Sequence, residues 1–129
     1  MKVFKVWSSV VIGLLLSSIV LAGCVGTSAP AAPTGVTANP GNGQVTIAWP
    51  ALSGAASYNI YYSTASGVTS GPTTNGTLIT GVAAGSASPS YTQIGLTDGS
   101  IYYYVVTAVN SNNGIESPAS TQVSIAPST

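Results

Sequence analysis

Charge is what this chain lacks. Its 129 residues include two basic and two acidic side chains and no His, so 3% of the sequence is charged where about 25% is usual. Both basic residues are lysines, Lys2 and Lys5, which leaves Asp98 and Glu116 as the charged side chains of everything that follows. With no Lys, Arg or His beyond residue 5, nothing neutralises phosphate, and electrostatic nucleic-acid binding is excluded. The same absence leaves every Ser and Thr without an ordinary base to activate it. The single Cys, Cys24, cannot form a disulfide within the chain. A chain with no His, one Cys and two carboxylates also lacks a metal-ligand set. Asp98 and Glu116 flank a predicted strand, which at about 3.3 Å per residue holds them roughly 25–35 Å apart, too far to act as a catalytic pair. The expectation is a non-enzymatic protein with no metal and no diffusible cofactor. Asp98, ahead of Gly99, reads as turn chemistry, and Glu116 reads as a solvated loop charge.

Long apolar runs are also scarce, with one exception at the start. The two lysines precede a mostly apolar stretch over residues 6–21, interrupted by Ser8, Ser9, Ser17 and Ser18 and ending in small residues. A basic start, an apolar middle and a small-residue end make up a secretory signal peptide. The end reads Leu21-Ala22-Gly23-Cys24 and resembles the lipobox of bacterial lipoproteins. That resemblance implies a diacylglyceryl group on the Cys24 thiol, cleavage just before Cys24, and a covalent lipid as the membrane anchor. An uncleaved anchor and ordinary cleavage with a free thiol are the competing readings. The serines make the run a poor permanent span, although its length approaches the ~20 residues that crossing requires. Val25, rather than Asp, follows Cys24, and in the sorting pattern of such lipoproteins this implies the outer membrane or cell surface.

The domain plan is a signal peptide over residues 1–23, a lipidated N-terminus and linker over 24–32, one folded domain over 33–127 and a tail at 128–129. Fully extended, residues 25–32 reach about 25–30 Å. From Pro33 onward short alternating runs separated by Gly, Pro and Asn predict an all-β sandwich. Strands are expected over residues 35–38, 44–49, 57–63, 91–96, 101–109 and 121–125, with a weak short one at 77–80. No helical period is evident after residue 26. Residues 63–90 read as a long Gly/Ser/Thr/Ala stretch around the weak strand, with 83–89 as an insertion; such loops are either functional or merely mobile, and the composition favours mobile.

Several motifs in this region resemble a fibronectin type III domain of the bacterial extracellular kind. They are Pro33, Trp49, Tyr58-Asn59-Ile60-Tyr61-Tyr62, Leu96-Thr97-Asp98-Gly99-Ser100-Ile101-Tyr102, the run from Tyr104 to Asn110, and Glu116-Ser117-Pro118-Ala119-Ser120. The Leu96/Tyr102 spacing matches the family's tyrosine corner, in which the phenol bridges to nearby backbone. The resemblance implies a seven-stranded antiparallel β-sandwich of immunoglobulin-like topology, with a binding or spacer role rather than chemistry.

Alternation sends Trp49, Tyr58, Ile60, Tyr62, Tyr102, Tyr104 and Val106 into the core. The same parity turns Tyr61, Tyr103 and Val105 to one outer face, where they could support the sheet or form an exposed aromatic platform for a protein partner or a sugar. Edge strands are usually guarded by Lys, Pro or bulges. Here Pro33, Pro118 and Pro127 are present but no lysine, so an unguarded edge could accept a partner's strand or a second copy of the chain. Two functions follow. One is a lipid-anchored scaffold or accessory subunit of an envelope or extracellular assembly; the other is a carbohydrate-binding or adhesive surface module.

Overall fold

The computed structural model describes residues 28–129. The lipobox residues Leu21, Ala22, Gly23 and Cys24 lie outside the described residues. Seven strands follow in order: β1 (Thr37–Gly41), β2 (Gln44–Ala48), β3 (Ala55–Ser63), β4 (Thr77–Ala83), β5 (Ser90–Ile94), β6 (Tyr102–Asn110) and β7 (Val123–Ile125). They form two antiparallel sheets, ordered β1-β2-β5 and β4-β3-β6-β7.

The core lies between the sheets, where period-2 alternation sends it. Val45 and Ile47 of β2, Tyr58 and Ile60 of β3, and Tyr104, Val106 and Ala108 of β6 are fully buried with Trp49. Each large side chain removed from water contributes about 1.5–3 kcal/mol. Trp49 meets Tyr58 edge-on, with ring centroids 5.1 Å apart, and Tyr62 stacks on Tyr104 at 5.9 Å; both lie in the range favoured by aromatic pairs. Buried phenols need partners. Tyr58 Oη accepts from the Leu52 amide at 2.8 Å, and Tyr104 Oη donates to Gln93 Oε1 at 2.9 Å. Burial pushes the Tyr104 phenol well above its ordinary titration range. The tyrosine corner forms, with Tyr102 Oη accepting from the Thr97 amide at 3.1 Å.

All seven strands differ from their expected limits by at least one residue, and β1, β4 and β7 differ most instructively. β1 starts later and runs through Pro40 to Gly41, which an end strand tolerates because a missing N–H can face outward. The turn is then only Asn42 and Gly43, the latter at φ 62°. β4 extends to Ala83 instead of stopping at Thr80, because a bulge absorbs the break. Opposite Asn59, β4 carries the extra residue, with Gly81 at φ 74° and its amide donating to Asn59 Oδ1 at 3.4 Å. β7 is three residues long. Ahead of it, residues 116–120 bond the side of β6 without forming a regular strand.

That bonding explains the Glu116–Ser120 motif. The Ser117 amide donates to Ala108 O at 2.8 Å while its Oγ accepts from the Ala108 amide at 2.9 Å. Ser120 repeats the exchange with Val106, its amide donating at 2.8 Å and its Oγ accepting at 2.9 Å. Two hydroxyls thus supply the acceptors of a missing strand on either side of Pro118, which has no N–H to give.

Candidate functional site

On the outer face of the four-stranded sheet, the register sets Tyr61 opposite Val105, Asn59 opposite Thr107, and Tyr103 opposite Ser63. Tyr61, Tyr103 and Val105 therefore share one face, as strand parity requires. Their expected exposure does not hold. Tyr61 and Val105 are each 2% exposed and Tyr103 is half-buried; together with Val68 and Ala119 they form a second apolar cluster outside the main core.

What covers them is the connection between β3 and β4, residues 64–76, which folds back across the sheet. Gln122 Oε1 pins it by accepting from the amides of Gly67 at 2.9 Å and Val68 at 3.0 Å. Asn75 closes its neck, with Oδ1 accepting from the Thr69 amide at 3.0 Å and Nδ2 donating to Gly67 O at 3.0 Å. Thr74 Oγ1 donates to Thr69 O at 2.6 Å. Gly76 passes so close to β3 that a Cβ there would lie 2.7 Å from Tyr62 O. This part of the 63–90 stretch is thus a cover bound to the sheet, not the mobile loop its composition implied.

Glu116 corrects a second expectation. It is half-buried, and a single carboxylate oxygen, Oε1, accepts from Tyr61 Oη at 2.8 Å, from Asn59 Nδ2 at 3.2 Å and from Thr107 Oγ1. The bridge between Val109 and Glu116 delivers the carboxylate to this spot. Burial raises the Tyr61 phenol above its ordinary value and its bond to Glu116 adds to that, while the Gly71 backbone and Asn59 pull the other way. The alternation of β3 and β6 contained the signal, since it placed three polar outward groups, Asn59, Tyr61 and Thr107, around one position. Asp98 plays the expected turn role, with Oδ1 accepting from the Gly43 amide at 2.8 Å. It precedes Tyr102 whereas Glu116 faces Val109, so β6 separates the two carboxylates by roughly 23 Å. Each holds structure together, and they share no site.

The sides of the sandwich differ. β1 contacts β7, and the C-terminal tail ties across that side, with the Ser128 amide donating to Gly41 O at 3.2 Å. Pro33 and Pro127 are fully buried and Pro118 sits in the segment bonded to β6, so all three prolines close this side. The opposite side presents β4 and β5, each the end strand of its sheet. β4 is guarded by its bulge. β5 has neither bulge nor charge, and its Ile94 is 75% exposed.

The two sheets of this chain are similar in structure to the third fibronectin III domain of human KIAA0343 protein. It superposes with a TM-score of 0.59 at 22% identity, over 81% of this chain and 89% of that one. The fold is that of a fibronectin type III domain. The chain is also similar to an amylopullulanase of Thermoanaerobacter thermohydrosulfuricus, 37% identical over 100 residues that span 78% of this chain and 6% of the amylopullulanase. A β-1,2-glucanase from Parabacteroides distasonis superposes with a TM-score of 0.56 at 25% identity, covering 80% of this chain and 14% of that one. No family model matches the chain.

Proposed function

We propose that this chain is a non-enzymatic, lipid-anchored envelope or surface protein whose fibronectin type III domain binds a protein partner as scaffold or accessory subunit. The observation that carries this reading is the open, uncharged edge of β5 with Ile94 exposed. An edge strand offers a row of backbone donors and acceptors to an incoming strand, and here no charge repels one. Anchoring is by acyl chains on Cys24 behind the Leu21-Ala22-Gly23 lipobox, and two or three chains hold stably at about 0.8 kcal/mol per buried methylene. Val25 directs the lipoprotein to the outer membrane or cell surface.

The similarity to stretches of an amylopullulanase and a β-1,2-glucanase favours a second reading, a carbohydrate-related surface module. One experiment separates them. A photocrosslinking residue at position 94, introduced in the native host, gives a defined protein adduct if β5 is the docking edge, and the added charge of Ile94→Lys abolishes capture of that partner. Absence of an adduct together with retention on polysaccharide, displaced by soluble glycan, establishes the carbohydrate reading instead.

A further inference from the structure

One end of the sandwich gathers the incoming chain and three connections. The last residue of β2 pairs with the first of β5 (Ala48 with Ser90), the first of β3 with the last of β6 (Ala55 with Asn110), and β4 ends opposite Ser57. Residues 49–54, 84–89 and 111–115 therefore emerge together, and the first two are bonded to each other by the Trp49 amide on Pro89 O and the Ala51 amide on Ala87 O, both at 3.1 Å. The described chain enters at the same end, where Asn110 Nδ2 donates to Ser28 O at 3.3 Å. Pro33 is already buried in the domain, so residues 28–32 belong to the folded unit and add no reach to the tether.

This shortens the linker. Between Cys24 and Ser28 lie four residue steps, which fully extended reach roughly 14 Å, about half the span of residues 25–32. The three connections contain no charged residue. Glu116, the nearest carboxylate, is turned to the sheet face by three donors. Pro50, Ala51 and Ile115 are exposed there. A short tether, a small-residue surface and the absence of any acid from the three connections, which lowers repulsion by anionic headgroups, fit one occupant. We infer that this end of the domain rests on the lipid headgroups of the membrane that Cys24 anchors, so that the sandwich stands upright on the bilayer. The opposite end carries the Asn42-Gly43 turn, Asp98 and the C-terminal end of β5 with Ile94. It stands about 30 Å farther out, the length of β6 at about 3.3 Å per residue. The inference rests on the lipid-anchor reading above and adds an orientation to it.

Acylation removes the only native thiol, so an introduced Cys becomes the sole labelling site on the full chain. Asn113→Cys at the inferred membrane end and Asn42→Cys at the far end both replace exposed residues. Each carries a fluorophore, and the lipoprotein is reconstituted in vesicles containing nitroxide-labelled headgroups. Strong quenching at position 113, with none at 42 beyond that of unlabelled vesicles, is the expected result. Equal quenching at both positions, or stronger quenching at 42, with Cys24 acylated by mass, overturns the orientation alone. An unmodified Cys24 in the chain isolated from its host overturns the anchor, and the orientation with it.

Discussion

Replacing Glu116 by Ala removes the acceptor of three side chains at once. Two of these, Tyr61 at 2% exposure and Thr107 at 0%, are buried, so their hydroxyls are left facing the vacated space. A hydrogen bond to a charged group is worth about 1.5–3 kcal/mol net, and a buried donor left unpaired costs about 1–3 kcal/mol. The three bonds share one oxygen and are not additive, and Glu116 is only half-buried, so water can enter where its side chain stood. The resulting expectation is a loss of about 2–4 kcal/mol. For a domain of this size each kcal/mol lowers Tm by about 4–8 °C, so thermal unfolding followed by circular dichroism should fall by roughly 10–25 °C. Glu116→Gln keeps an acceptor and should lose less than half as much. Adding Tyr61→Phe to Glu116→Ala completes a double-mutant cycle, whose expected coupling is about 1 kcal/mol or more. A Glu116→Ala Tm within about 3 °C of the parent, or a coupling indistinguishable from zero, would show the carboxylate to be a solvated surface charge and refute the reasoning.

Three further outcomes are expected. Tyr102→Phe removes the acceptor of the Thr97 amide and should cost about 0.5–1.5 kcal/mol in urea unfolding without changing the m-value; no loss would mean that water replaces the phenol. Gln122→Ala frees the amides of Gly67 and Val68, so their hydrogen exchange should accelerate about 10-fold or more while that of β3 stays unchanged, one kcal/mol or more of local opening; unchanged exchange would mean the cover is held by Val68 packing alone. Stability should be nearly flat from about pH 6 to 9, since the domain has no His or Lys to titrate, and should fall above about pH 10. The sign follows from Tyr61 and Tyr104, whose phenols are raised in the folded state: above the unfolded value the folded chain binds more protons, so rising pH favours unfolding. Stability unchanged at pH 11–12 would contradict the burial of both phenols.

How far the sequence could be read depended on what kind of force fixed each feature. The alternation of Tyr58, Ile60 and Tyr62 against Asn59 and Tyr61 placed those five β3 side chains on their correct faces, because strand geometry alone sets parity. The tyrosine corner was legible through the resemblance to fibronectin type III domains, which carries the Leu96/Tyr102 spacing. The cover over Tyr61 was not legible. Nothing in the composition of residues 64–76 distinguishes a free loop from one tied down by Gln122, whose side chain reaches it from 54 and 55 residues away. Likewise β4 looked short because Gly81 interrupts its alternation, and only the pairing with Asn59 turns that break into a bulge. Alternation says which side a residue faces; whether that side is dry depends on contacts between distant segments.

The fate of the two carboxylates gives the low charge a physical meaning. Asp98 accepts from the Gly43 amide, 55 residues away, and Glu116 gathers donors from β3 and β6. Both charges in the domain are thus committed to tying its own chain together, and two carboxylates alone give it only a weak field for steering a partner. An encounter with little electrostatic steering is slower, which would matter less for a protein held at a surface by the proposed lipid, since a short tether raises the effective concentration of anything else held there. With the proposed anchor, a sandwich carrying only two carboxylates and one open strand edge would suit a neighbour at the same membrane rather than a ligand captured from dilute solution. On that argument binding through β5 should depend only weakly on salt. A strong loss of capture at position 94 on raising ionic strength would show that the two carboxylates do steer the partner and would refute that argument.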